Sequence, residues 1–518
     1  MNPAPRAYLL LLLHAHLPWV YEPGYAKFLE EYWFFEAMNE TYLPLLVMLR
    51  RLRERGVPYR LALSFSPTLI AMMEHDGLLA RFREFHRSLR DLAAREDRQW
   101  AQEPRLSRIT SLYRWLFEER AAALESCGGR ILRGFRELAE QGYLELLTTA
   151  AAHPFLTNLQ DFPLLTRQLI SRGLAVLRGC TGMEPRGFWL PESAYYPGLE
   201  YALADCGVRY FQVETHGLLH ASPRPLFATA APVYVPNGLA VFGRSPATGH
   251  AVWSSSEGYP GDPVYREFYR DVGWDADGEY VRPVLPPDGN RVSTGLKYYA
   301  ITDRRRPLDE RALYQPELAL ERACEHARHF VGMLEREAED LVPRMPVAPV
   351  FFSPYDAELF GHWWFEGIAF LGEVLTILGS HPVLASETPA GYLQHYPAHQ
   401  LAVPNMSTWG DRGFSQVWVN QFTEWVYPHQ LAAAERYERM LREGWHFSEE
   451  VWRWLRTELF LAVASDFPFM ITSGNYGEYS ARRLREHLSL FNRLADDASA
   501  GRDLSWYEQY WCKRPQIL

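Results

Sequence analysis

The run YLLLLLHAHLPWV, residues 8–20, sets the tightest limit on what this chain can become. Residues 7–13 are apolar at every position, so neither face of the segment suits water. A strand buried on both faces needs cover from both sides, which is the situation of a parallel sheet wrapped by helices. The rival reading is the apolar core of a secretory signal. Against it, Arg6 is the one basic residue before the run, the run is short for such a core, and HAHLPWV contains no small-residue cleavage site.

The same pattern recurs downstream. Strands are expected over residues 58–65, 143–150, 187–191, 208–213 and 347–353, with helical periodicity over 30–56, 67–141, 164–179 and 201–206. Strands alternating with helices predict an α/β barrel or a doubly wound sheet. Residues 215–316 are rich in Gly, Pro and aromatics and break the pattern, as an active-site rim does. After the Trp-rich loop STWGDRGFSQVWVN come three helical stretches, 430–443, 448–464 and 480–497. A catalytic domain over 1–400 and a helical domain over 401–518 are therefore expected, and a chain of 518 residues is long enough for both.

Net charge of −10 without a basic block speaks against a nucleic-acid partner. No apolar run nears the roughly 20 residues of a membrane span. Five scattered cysteines, none in a CxxC, point to a reducing compartment, hence a cytoplasmic protein.

Ligands of parallel α/β folds bind at the carboxyl ends of strands. Five expected strands end in reactive groups: His14 and His16, His153, Glu192, Glu214 and His216, and the set Asp356, Glu358 and His362. The strand period of two puts His14 and His16 on one face. Glu192 and Asp356 each follow an apolar strand and stand among aromatics, Phe188, Trp189, Tyr195 and Tyr196 around one, Phe351, Phe352, Tyr355, Trp363 and Trp364 around the other. Two carboxyls between aromatic platforms suit a glycosidic bond, one as acid and base on the bridging oxygen, the other as nucleophile. The histidines also allow a zinc-dependent hydrolase built on His14, His16 and His153. A carbohydrate-binding protein without catalysis is a further alternative.

HAHLP, AAHPFL, GFWLPESAY and SPYDAELFGHWW resemble the first four motifs of glycoside hydrolase family 57, and within it the 1,4-α-glucan branching enzymes. The fifth motif falls near Glu214–His216, and GYPGDPVYREFYRD, STGLKYY, STWG with VWVN, and ASDFPF extend the match through most of the chain. The resemblance implies a distorted (β/α)7 barrel with helical insertions and an α-helical C-terminal domain contributing to the cleft. It implies a retaining mechanism on α-1,4-glucan, with Glu192 as nucleophile, Asp356 as general acid/base, and no metal or cofactor. By the same carry-over His14, His16 and His153 line the subsite at the scissile bond. Arg266, Gly295, Trp409, Asp466 and Asn475 fall at substrate-binding positions, and Trp418 at an acceptor-side platform. The biological role implied is glycogen biosynthesis. Three positions depart from the family: Asn475 replaces a common Gln, Ser193 a common Cys, and the loop APVYVPNG is short, with Tyr234 as its cleft-covering tyrosine. A shorter cover admits water, so α-glucan hydrolysis by the same two carboxyls is the alternative activity.

Overall fold

The computed structural model describes residues 5–25, 28–253 and 258–518. Strand β1 (Ala7–Ala15) is buried along its whole length. It is followed by β2 (Leu61–Phe65), β3 (Leu144–Thr149), β4 (Gly187–Trp189), β5 (Tyr210–Val213), β6 (Val233–Tyr234), β7 (Ala240–Gly243), β8 (Val350–Asp356) and β9 (Leu384–Ser386). Among the described residues these form one sheet in the order β6-β7-β5-β4-β3-β2-β1-β8, with β9 paired to the start of β1. The pairings are parallel except β6 with β7.

Seven parallel strands, β1 to β5 with β7 and β8, curl into a distorted (β/α)7 barrel. β7 and β8 share no ladder. Their seam is bridged where the Ser245 N–H donates to the Phe352 carbonyl at 2.8 Å, with the Phe242 and Phe352 rings 5.3 Å apart. The β1 register sets His14 opposite both Ser64 and Asp356, so the carboxyl ends of three strands come level.

The expected helical excursion between β2 and β3 is present as helices Pro67–Glu74, Asp76–Gln99, Pro104–Ser126 and Ile131–Glu140. The first begins as its sequence dictates: Ser66 accepts the Leu69 N–H and Pro67 takes the first helical position. The excursion between β7 and β8 is mostly irregular and is pinned by one buried carboxylate. Asp271 accepts the backbone N–H groups of Gly273, Thr294 and Gly295 and the Thr294 hydroxyl. Gly295, held by Asp271, passes close to Glu40 in a π-helical turn, Met38–Tyr42, between helices Glu31–Ala37 and Leu43–Glu54.

The C-terminal region is helical, over Val426–Arg442, Glu449–Ala462, Asp466–Ser473 and Gly477–Ser499. The third of these was not expected from sequence, since eight largely apolar residues carry too little periodicity. Hydrogen bonds tie this region to the barrel: Ser465 N–H donates to the His153 carbonyl, and the Glu438 carboxylate accepts the Leu164 and Leu165 N–H groups at the start of Pro163–Thr181. Inside it, Glu458 is wholly buried and accepts from Arg514 Nε at 2.7 Å, with His487 Nδ1 2.6 Å away. Burial alone would raise its carboxyl, but Arg514 and His487 hold it at about 2. Glu458→Leu leaves the buried Arg514 with Glu486 alone, 2.9 Å from its Nη2, and takes the partner from His487; it is expected to cost about 3 kcal/mol, read as faster amide exchange across Glu449–Ala462 and Gly477–Ser499. Unchanged exchange would remove this pair from the stability of the region. Because the folded carboxyl is depressed, its contribution is present above the ordinary carboxylate range and lost as pH falls through about 2.

Candidate active site

A cleft of about 580 Å³ opens at the carboxyl end of the barrel. His14 comes from the end of β1 and His16 from just beyond it. His153 follows β3, Glu192 follows β4, Arg244 follows β7, and Asp356 ends β8. Trp409 and Asp466, from beyond residue 400, close the other wall. A second hollow of about 840 Å³ continues the cleft, sharing Glu358, Trp363, Asp466 and Phe469 with it.

Sharp turns deliver two of these groups. Ala152, His153, Glu192 and Ser193 have φ of 58°, 56°, 58° and 48°, left-handed values that side-chain-bearing residues rarely adopt. After β4, Pro191 has no N–H for the ladder, so the strand stops at Trp189, two residues before the expected Pro191. The chain then turns back through Glu192.

The two carboxyls sit in different electrostatic settings. Glu192 Oε2 accepts the Trp409 indole N–H at 2.8 Å, and Oε1 accepts the Ser465 hydroxyl at 2.7 Å. Burial raises Glu192 and the Asp466 charge adds to the rise; these two donors and the His16 charge oppose it and leave it moderately raised. Asp356 is driven well above the carboxylate range by burial and then by the charges of Glu358 and Glu192. Glu358, pushed up to about 7 by burial, accepts the His16 N–H at 3.1 Å and the Tyr42 hydroxyl. One carboxyl is furnished with donors that favour its charged form, the other with neighbours that favour its proton, the division of labour an acid and a nucleophile need.

The histidines divide likewise. Burial opposes protonation of His16, but Asp466, 2.9 Å from its Nε2, raises it. Burial and the His16 charge keep His14 and His153 neutral. The three rings could offer nitrogen atoms within 4.8 Å of one another to a metal. Their nitrogens are already engaged, however. His14 Nδ1 meets Ser64 Oγ at 3.2 Å, His14 Nε2 meets His153 Nε2 at 3.0 Å, and His153 Nδ1 meets Ser465 Oγ at 2.9 Å. With His16 Nε2 on Asp466, His16 Nδ1 alone lacks a partner. A metal taking one nitrogen from each ring would displace at least one of these contacts; as they stand, the three rings form a hydrogen-bonded cluster.

Of the residues singled out from sequence, Glu192, Asp356, His14, His16, His153, Trp409, Trp418 and Asp466 all line the cleft. Trp418 is only 2% exposed and stacks on Phe155 at 4.8 Å, so it backs the wall and offers no open platform. Asn475 lies farther along, in the adjoining hollow. Arg266 and Gly295 do not reach the cleft. Arg266 is buried against Phe365 and Glu40, its guanidinium 3.6 Å from the carboxylate. Gly295, at φ +76°, passes so near Glu40 that a Cβ would lie 2.8 Å from Oε1. Both brace the π-helical turn that presents Tyr42 to Glu358. Tyr234 is also displaced from its expected place: it packs near His399 and pairs with Ala240, which opposes Tyr210 at the amino end of β5. The segment is a hairpin at the far end of the barrel and covers nothing in the cleft. Of the other strand-end candidates, Glu358 lines the cleft and His362 the adjoining hollow, whereas Glu214 pairs with Arg244 at 3.1 Å. Sequence reasoning missed Arg244, Trp253, Tyr42 and Ser465. Arg244 had a readable signal, a charge closing the apolar run LAVFG, and Ser465 adjoins the singled-out Asp466.

Comparison with known proteins places this geometry. The sequence profile of glycosyl hydrolase family 57 matches residues 10–298, and that of the 1,4-alpha-glucan branching enzyme C-terminal region matches residues 429–515. The chain is 35% identical to the 1,4-alpha-glucan branching enzyme of Thermococcus kodakarensis, across 95% of its own length and 74% of that relative's. Its structure is similar to the alpha-amylase AmyC of Thermotoga maritima, with a TM-score of 0.91 and 34% identity over 99% of both chains. It is similar also to the branching enzyme of Pyrococcus horikoshii, with a TM-score of 0.83 and 32% identity over 95% of this chain and 90% of that one. A barrel whose strand ends converge on two unlike carboxyls, matched from the first strand into the C-terminal helices, belongs to glycosyl hydrolase family 57.

Proposed function

We propose that the protein is a 1,4-α-glucan branching enzyme working by retaining double displacement. The observation that carries this reading is the pair Glu192 and Asp356 in one aromatic-walled cleft: burial raises both, but Glu192 has a donor on each oxygen whereas Asp356 faces the charges of Glu358 and Glu192 and is raised far more. Glu192 attacks the anomeric carbon while Asp356 protonates the departing oxygen. A glucan 6-hydroxyl then enters, Asp356 removes its proton, and an α-1,6 branch forms. His16, through its unpartnered Nδ1, and Asp466 grip the hydroxyls of the sugar at the scissile bond, His14 and His153 line the same subsite with their rings, and Asn475 meets a unit farther along. Trp409, which holds Glu192 by its N–H, also presents ring surface to the cleft. Residues 1–400 supply the carboxyls and 401–518 the closing wall. The named activities of the Thermococcus and Pyrococcus relatives support the branching reading.

α-Glucan hydrolysis is the second reading. It is favoured by the likeness to the Thermotoga alpha-amylase and by Tyr234 lying away from the cleft, which leaves that tyrosine no part in excluding water. Incubation with amylose followed by debranching separates them. New α-1,6 points with conserved reducing ends are expected; rising reducing ends without branches would assign hydrolysis. A glycogen-like storage polymer is the natural substrate on this reading. The cytoplasm is its place, in keeping with five free cysteines. Among the described residues no helix is long and apolar enough to cross a membrane.

A further inference from the structure

We infer that Ser64, His14, His153 and Ser465 form a directional hydrogen-bond relay ending on Glu192, whose charge sets the direction of every link. The contacts run end to end: Ser64 Oγ to His14 Nδ1 at 3.2 Å, His14 Nε2 to His153 Nε2 at 3.0 Å, His153 Nδ1 to Ser465 Oγ at 2.9 Å, and Ser465 Oγ to Glu192 Oε1 at 2.7 Å. The frame is rigid. Ser64 and His14 face each other in the β1–β2 register, and the Ser465 N–H is bonded to the His153 carbonyl at 2.9 Å.

Proton counting fixes the polarity. An ionised carboxylate accepts and cannot donate, so the Ser465 hydroxyl spends its one proton on Glu192. Towards His153 it must therefore accept, which places a proton on His153 Nδ1. His153 is neutral, so its Nε2 is bare and accepts from His14 Nε2–H. His14 is neutral too, so its Nδ1 accepts from the Ser64 hydroxyl. Adding one proton to Glu192 reverses each link, and both rings exchange tautomers without either becoming charged. Ser465 is thus a positioning residue: it holds the nucleophile's charge and aim, and the two histidines hold Ser465 in the donating state.

The inference rests on Glu192 being the nucleophile, but its first test needs no turnover. Neutron diffraction from the full-length protein at neutral pH is expected to show deuterium on His153 Nδ1 and His14 Nε2; the opposite tautomers would overturn the relay. The second test is kinetic. Besides the relay histidines, the titratable and charged groups lining the cleft with Glu192 are His16, Arg244, Asp356, Glu358, Asp411 and Asp466, none of which Ser465→Ala replaces. That change removes a donor from a carboxylate, so kcat should fall about 10- to 100-fold. The acidic limb of the kcat/KM profile should move roughly one pH unit higher. Ser465→Thr keeps the hydroxyl and should recover most of both. An unmoved acidic limb, or a Thr variant as poor as Ala, would reduce Ser465 to a packing residue. An active Glu192→Gln would instead sink the nucleophile assignment while leaving the tautomer result to stand.

Discussion

Glu192→Gln is expected to lower turnover on amylose by about 10⁴-fold or more, the scale on which enzymes lose activity when a covalent nucleophile is removed. An amide cannot form the glycosyl ester, and no neighbouring carboxylate inherits the position. Asp356 carries its proton, and Asp466 is committed to His16 at 2.9 Å. The fold should not suffer. The amide oxygen still accepts one of the two donors, and the variant removes a charge that burial disfavours. Unchanged thermal unfolding together with retained amylose binding would show that the loss is chemical. Residual activity above a few per cent of the parent would move the nucleophile elsewhere.

Asp356→Asn should cost about 10²- to 10⁴-fold on amylose, the usual contribution of a general acid/base. The loss should shrink on an α-glucosyl fluoride, whose leaving group needs no proton. Azide should then speed release of the glycosyl-enzyme, because it attacks without base assistance. The pH profile gives an independent reading. Asp356 is held protonated by burial, Glu358 and Glu192, so parent activity declines as pH rises through its elevated pKa. Glu192 must be ionised, so activity also declines as pH falls through its own. Asp356→Asn removes the basic limb and leaves the acidic one; a variant that kept both would assign the basic limb to another group.

Much of this was legible in the sequence because burial on both faces leaves a coarse mark. β1 is leucine on both sides, and groups such as His14 and Asp356 stand where such runs stop. What escaped reading depended on direction and depth. APVYVPNG reads as a loop either way, but β6 runs antiparallel to β7, so the chain has already descended the barrel and turns at its amino end. Arg266 and Gly295 sit in motifs shared with the family, yet composition cannot distinguish a residue that touches sugar from one that braces Glu40 behind the cleft wall. Tyr42 acts through a π-helical turn that no periodicity announces. Ser465 gains its meaning from His153, 312 positions away along the chain.

The left-handed backbone at Ala152, His153, Glu192 and Ser193 bears on how this enzyme responds to selection. Conformations of this kind cost on the order of 1–3 kcal/mol each, and glycine relieves that cost most readily. A library screened for heat resistance alone would therefore be drawn to these four positions. At 153 and 192 the gain erases the ring that holds Ser465 and the carboxyl that attacks the sugar, so robustness and turnover are opposed there. At 152 and 193 the two demands come apart, and those neighbours are where an engineer can relax the loops while sparing the chemistry.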